Sequence, residues 1–252
     1  MTNITMRDFV VSTKSDHPPK IVLSVPHDGL WTQNFTGHFT PRENGVGGSD
    51  RFVTPIANDI LVYCQEKGLG VDMIRFLMPR RYIDANRPAP GMRDYAKYEE
   101  TSFSDERLRV YYNAYFEELE ASIDRAIATH GKPNILVLDL HGFVRGRREG
   151  QVTDFDVVLG TCHRKTIRYG EPDKSLGGHL SKAGFNTFTP GNADVLPGGD
   201  PFYGGFISEY VANEYEVNAI QIETEKRFRS QDGGLVGARL AQTIGDWLTA
   251  TF

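Results

Sequence analysis

Cysteine is scarce: Cys64 and Cys162 are the only two in 252 residues, too few for a disulfide framework, so a reducing cytoplasm is the expected compartment. Long apolar runs are missing too, since no window approaches the ~18 consecutive apolar residues of a spanning helix. Met1 to Val11 contain no basic stretch leading into an apolar one, so no signal peptide is expected. Asn3-Ile4-Thr5 and Asn34-Phe35-Thr36 match the glycosylation triplet, which carries no meaning without secretion. Positive charge is not in excess: 28 Lys+Arg against 33 Asp+Glu leave a net charge of −5, which gives no field for nucleic acid or an anionic membrane surface. Repeats, low-complexity tracts and Pro/Ser/Gly linkers are also lacking, so residues 1–252 read as one domain.

What is present is an alternation of short apolar runs with helical patterns, which predicts an α/β domain with a parallel or mixed sheet. Near-continuous apolar runs mark strands at Ile21–His27, Asn134–His141 and Val217–Glu223, with further strands at Val71–Met78 and Phe155–Thr161. A long helix is expected over about 104–129, its inward stripe carrying Leu108, Tyr112, Tyr115, Leu119, Ile123 and Ala126, with Gly131 and Pro133 as stop signals. Another is expected to start with Thr54 as cap and Pro55 in its first turn and to end at Gly68; a last one covers about 235–248. The glycines at 45, 47, 48, 198 and 199 are no phosphate loop, because no Gly-Lys-Ser/Thr follows them. Cys162 and His163 adjoin a predicted strand, where neighbouring side chains face opposite ways, which argues against a thiol nucleophile.

The polar residues cluster at strand ends. Three predicted strands finish in Pro26-His27-Asp28-Gly29, Asp139-Leu140-His141-Gly142 and Gln221-Ile222-Glu223. In open α/β sheets the carboxyl ends of strands border the ligand crevice. Two neutral imidazoles and a carboxylate, with one position left for water, are the usual composition of a catalytic zinc site. Asp139 precedes His141 by two residues, close enough for its carboxylate to hold the imidazole tautomer. After the Val71 strand, Arg80, Arg81, Asp84, Asn86 and Arg87 bring cations and an amide together, a grouping suited to gripping a planar carboxylate.

These motifs, in this order and at these separations, resemble the N-formylglutamate amidohydrolase family over about residues 20–229, and Phe202-Tyr203-Gly204-Gly205 looks like its glycine loop. That family is similar to zinc carboxypeptidases and aspartoacylases. The resemblance implies a phosphorylase/hydrolase-like α/β/α three-layer fold with a mixed central sheet. It implies zinc held by His27 and His141, Glu223 as general base and acid, and Asn86 with Arg87 as the clamp for a substrate carboxylate. Tyr203 and Gly204 would contribute to the substrate site, and an arginine at 80 or 81 would polarise the scissile carbonyl, Arg81 being the choice. Carboxypeptidases carry a Glu three residues after the first His, where Leu30 stands here. Asp50 is therefore the candidate third ligand, with Asp28 and His38 as alternatives. The expected reaction is hydrolysis of an N-acyl amino acid, N-formyl-L-glutamate first. A zinc carboxypeptidase or amidase acting on short peptides or cell-wall fragments, and a non-catalytic carboxylate-binding protein, are the other readings. Zinc is inferred from ligand type, and another transition metal would suit the same donors. Oligomeric state stays open.

Overall fold

The structure is a computed structural model that describes residues 9–27, 29, 38–43, 48–95, 97–145, 154–189, 202, 204–229 and 234–252. Its centre is a seven-stranded mixed sheet of strands β1 (Val10–Thr13), β2 (Ile21–Val25), β3 (Val71–Phe76), β4 (Leu136–Phe143), β5 (Val157–Gly160), β6 (Thr187–Phe188) and β7 (Asn218–Glu225). In space the order is β1-β3-β2-β4-β7-β5-β6. The middle strands β3, β2, β4 and β7 run parallel, while β1 lies antiparallel to β3 and β5 antiparallel to β7. The helices are α1 (Val53–Glu66), α2 (Arg109–His130), α3 (Pro172–Lys182), α4 (Phe206–Glu214) and α5 (Gly234–Thr251). No helix among the described residues is long and apolar enough to cross a membrane.

Strand alternation divides the core in two. On one face Ile21, Leu23, Leu136, Leu138, Ile220 and Ile222 pack with α1, α3 and α5. On the other, Val22, Ile74, Val137 and Ala219 pack with α2 and α4. This is the expected three-layer α/β/α arrangement. The α2 stripe from Leu108 to Ala126 is buried as its spacing predicts, and Gly131, at φ 74°, ends the helix.

The second face changes character along the strands. Continuing from Val22, Val137 and Ala219 by steps of two, it reads Ser24 on β2, Asp139 and His141 on β4, and Gln221 and Glu223 on β7. Parallel pairing aligns these positions, Ser24 opposite Asp139 and His141 opposite Glu223. The opposite face stays apolar through Leu140 and Ile222. Chain connections from β2 and β4 leave in opposite directions along the sheet, so their carboxyl ends flank the crevice of an α/β switch point.

Several boundaries differ from the sequence expectations. The α2 region opens with a 3-10 turn, Glu106–Leu108, whose cap is Asp105 accepting from Arg107 N. Helix α1 starts at Val53 behind Phe52, which sits at φ 65°, so Thr54 lies inside the helix rather than capping it. Cys162, His163 and Arg164 do not extend a strand: all three have positive φ, 51°, 53° and 63°. Hydrogen bonds from Arg164 N to Thr161 Oγ1 and from Thr166 N to Thr161 O close this left-handed turn after β5. The strand argument against a thiol nucleophile therefore does not apply there, and the buried Cys162 packs behind Gly204 instead. Strand β1, the short β6 and α3 are elements the periodicity did not reveal.

Leu138 is fully buried at the centre of β4, so Leu138→Ala should lower unfolding free energy by about 2–5 kcal/mol in urea denaturation.

Candidate metal centre and substrate cavity

His27 follows β2, His141 lies in β4, and Asp50 stands before α1, tied to the first by a 2.8 Å hydrogen bond from Asp50 N to His27 O. The Nδ1 atoms of His27 and His141 are 3.1 Å apart, and each is 3.2 Å from Asp50 Oδ2. All three residues are buried and offer donor atoms within 4.8 Å of one another.

The far side of each ring explains this convergence. His27 Nε2 lies 2.6 Å from Asp84 Oδ1, and His141 Nε2 lies 2.8 Å from Asp139 Oδ2. Ionised carboxylates only accept, so each Nε2 carries the proton and donates it outward. Both Nδ1 atoms then present lone pairs to the same point as the Asp50 oxygen. Such a meeting needs a positive charge at its centre, either a proton on His141 or a metal ion in its place. Donors bound at about 2.0–2.2 Å around a tetrahedral ion lie roughly 3.3–3.6 Å apart, near the spacing observed. The residues fit a divalent transition ion.

Titration behaviour follows the same charges. Burial alone would raise the Asp50 carboxyl, but hydrogen bonds and attraction from His141 and His27 outweigh it and hold the group well below the carboxylate range. Burial opposes a charged His141, yet Asp139, Asp50 and Glu223 raise it well above its ordinary value. For the fully buried Asp84, burial is overcome by Arg80, His27 and Arg87, which keep it ionised.

Asp84 is the centre of a second network. It accepts from Arg80 Nε at 2.9 Å, Arg42 Nη1 at 3.3 Å and Asn86 N at 3.0 Å. Arg42 also reaches Glu100, at 2.9 Å, which Arg87 Nε approaches at 3.3 Å. Buried charges persist only when paired in this manner. Sequence reading treated Asp84 as a local neutraliser of arginine and missed its contact with His27; the two residues are far apart in the chain, and no spacing could reveal it.

A cavity of about 640 Å³ opens beside this cluster, lined among others by Asp50, Arg80, Arg87, His141 and Glu223. Asn86 and Gly204 line it as well, whereas His27 lies behind, 1 % exposed. An arginine at 80 or 81 was expected at the site, Arg81 being the choice. Of the two arginines left open there, Arg80 lines the cavity, and Arg81 is exposed, its guanidinium 5.9 Å from the Tyr82 ring centroid. The Asp84 carboxylate draws Arg80 inward, and Arg81, the next residue, faces solvent. Tyr203 and Asp28 lie outside the described residues. His38 is exposed and is not part of the cluster.

Glu223 accepts from Gln221 Nε2 at 3.0 Å. Gln221 Oε1 in turn accepts from Asn86 Nδ2 at 3.3 Å, and Asn86 Oδ1 accepts from Ile207 N, at 3.0 Å, in the first turn of α4. Gln221 is a further residue not singled out in the sequence, although its position two before Glu223 on a strand places it on the same face. Gly205 allows this close packing: a Cβ there would meet the Asn86 amide at 2.1 Å. Gly205→Ala should displace Asn86 and cost about 1–3 kcal/mol of stability, read as a lowered Tm.

The sequence profile of the N-formylglutamate amidohydrolase family matches residues 20–228. Among solved structures, the fold is similar to N-formylglutamate amidohydrolase from Ralstonia eutropha JMP134, with TM-score 0.70 and 15% identity over 96% of this chain and 98% of that one. It is also similar to gene product Atu2144 from Agrobacterium tumefaciens, with TM-score 0.57 and 12% identity over 96% and 95% of the two chains. At such identities the structural likeness is one of fold. No curated protein matches the chain in sequence. On the profile match across most of its length, the chain belongs to the N-formylglutamate amidohydrolase family, hydrolases of amide bonds.

Proposed function

We propose that this protein hydrolyses the N-acyl amide of an N-acyl amino acid, N-formyl-L-glutamate foremost, with a zinc ion held by His27, Asp50 and His141. The observation that carries this reading is the meeting of the two Nδ1 lone pairs and Asp50 Oδ2 at 3.1–3.2 Å beside a cavity lined by arginines and Glu223. When bound, the ion supplies Lewis acidity toward water and the amide carbonyl.

The protein's own groups account for the rest. Glu223, oriented through Gln221, takes a proton from the attacking water and returns it to the departing nitrogen. Water's oxygen ends on the acyl carbon as the C–N bond breaks, so formyl-glutamate would yield formate and glutamate. Arg80, already fixed by Asp84, is assigned to the charge that develops on the carbonyl oxygen, because it lines the cavity and Arg81 does not. Arg87 offers a planar fork to the substrate carboxylate, with the Asn86 amide beside it. Holding that remote carboxylate converts binding into correct placement of the scissile bond.

The test is a panel of formyl-, acetyl- and peptidyl-glutamate assayed after chelator treatment and after return of Zn2+. Formyl-glutamate hydrolysis that disappears with chelation and returns with zinc is the expected result; turnover indifferent to chelation would refute the metal assignment. Glu223→Gln should retain zinc and lose about 10²–10⁴-fold in kcat, and loss of zinc from that variant would make Glu223 a ligand instead. Arg87→Met should raise KM for carboxylate substrates by about 10–100-fold, the loss expected for a charge-assisted hydrogen bond of about 1.5–3 kcal/mol; an equal loss on a neutral amide would undo the clamp.

A further inference from the structure

The two imidazoles are backed by carboxylates of different kinds. Asp84, behind His27, is held by the guanidinium groups of Arg80 and Arg42. Asp139, behind His141, meets no Lys or Arg among the described residues; its other partner is a hydroxyl, Ser24 Oγ at 2.6 Å. Ser24 lies opposite Asp139 across the β2–β4 pair, and both are fully buried. Tyr115, projecting from α2 and also fully buried, brings its OH within 2.7 Å of Ser24 Oγ.

Donor bookkeeping gives this chain one direction. A carboxylate only accepts, so the single Ser24 hydrogen goes to Asp139 Oδ1. Tyr115 must then donate to Ser24 Oγ. Burial, with the nearby Asp139 charge, pushes the Tyr115 phenol well above its ordinary value, which keeps that proton in place. Neutral hydroxyls fix the carboxylate without cancelling its charge. The full charge of Asp139 is therefore left to face His141, whereas that of Asp84 is shared with two arginines. Partners of this sort tune the basicity and orientation of a ligating imidazole.

We propose that Ser24 and Tyr115 are positioning residues of the metal centre, a hydrogen-bond relay that aims Asp139 at His141 and so sets how tightly the site holds its divalent ion. The relay rests on the metal reading given above and extends it to residues that touch neither ion nor substrate.

The experiment measures Zn2+ affinity of the chelator-stripped full chain by competition with a chromophoric chelator, alongside Tm of the stripped protein. Ser24→Ala should weaken zinc binding by about tenfold, the lower end of what loss of such a partner brings, and Tyr115→Phe by roughly threefold. The double variant should match Ser24→Ala alone, because Tyr115 acts through Ser24. Ser24→Thr, which restores the hydroxyl, should recover affinity to within about twofold of the unmodified chain. Ile123→Val, on the buried stripe of the same helix, should lower Tm and leave zinc affinity unchanged. Wild-type zinc affinity in both Ser24→Ala and Tyr115→Phe, with Tm alone reduced, would overturn the relay; so would a further loss from Tyr115→Phe in the Ser24→Ala background. Tyr115→Phe keeps the ring and carries the test if Ser24→Ala does not fold. Uptake of no zinc by the unmodified chain would sink the metal reading itself, an outcome distinct from failure of the relay.

Discussion

Everything at the site depends on where two protons are held. Asp84 and Asp139 draw the imidazole hydrogens of His27 and His141 outward, leaving both Nδ1 lone pairs turned inward on the Asp50 carboxylate. A buried cluster of such groups needs a positive charge at its centre, whether a proton held by His141 or a metal ion. The same three donor atoms suit a divalent ion.

The sheet makes the convergence possible. Parallel strands align residues of equal depth, so a change from apolar to polar at the carboxyl ends of β2, β4 and β7 produces one polar stripe on one face. The other face keeps its leucines and isoleucines and remains an ordinary packed layer against α1, α3 and α5. Stability and chemistry are thereby separated across a single layer of backbone. Placement at the switch point adds room, because the connections from β2 and β4 lead to opposite sides of the sheet.

Charge compensation then selects which side chains face inward. Asp84, with no solvent to screen it, attracts Arg80 and Arg42, and through Glu100 the same network reaches Arg87. Such groups are costly to bury singly and stable together. The inward turn of Arg80 and the outward turn of Arg81 follow from that attraction. The amide of Asn86 is likewise fixed from two sides, by Ile207 N and Gln221, with Gly205 small enough to let α4 approach.

Much of this was legible in the residues alone. Apolar runs ending in His27, His141 and Glu223 marked three strands and their polar ends, because strand burial and the change to polar residues both leave local signals; the family resemblance followed from the order of those motifs. The α2 stripe was readable for the same reason, its helical period being written in consecutive turns. Partnerships between distant segments were not. That Asp84 backs His27, that Ser24 and Tyr115 back Asp139, and that Arg80 enters the cavity in place of Arg81 depend on which strands become neighbours and which charges lose their water. Local sequence sets the period of each element and the chemistry at its ends; only packing brings residues 57, 91 or 115 positions apart to within hydrogen-bond distance, and only burial makes their charges choose partners.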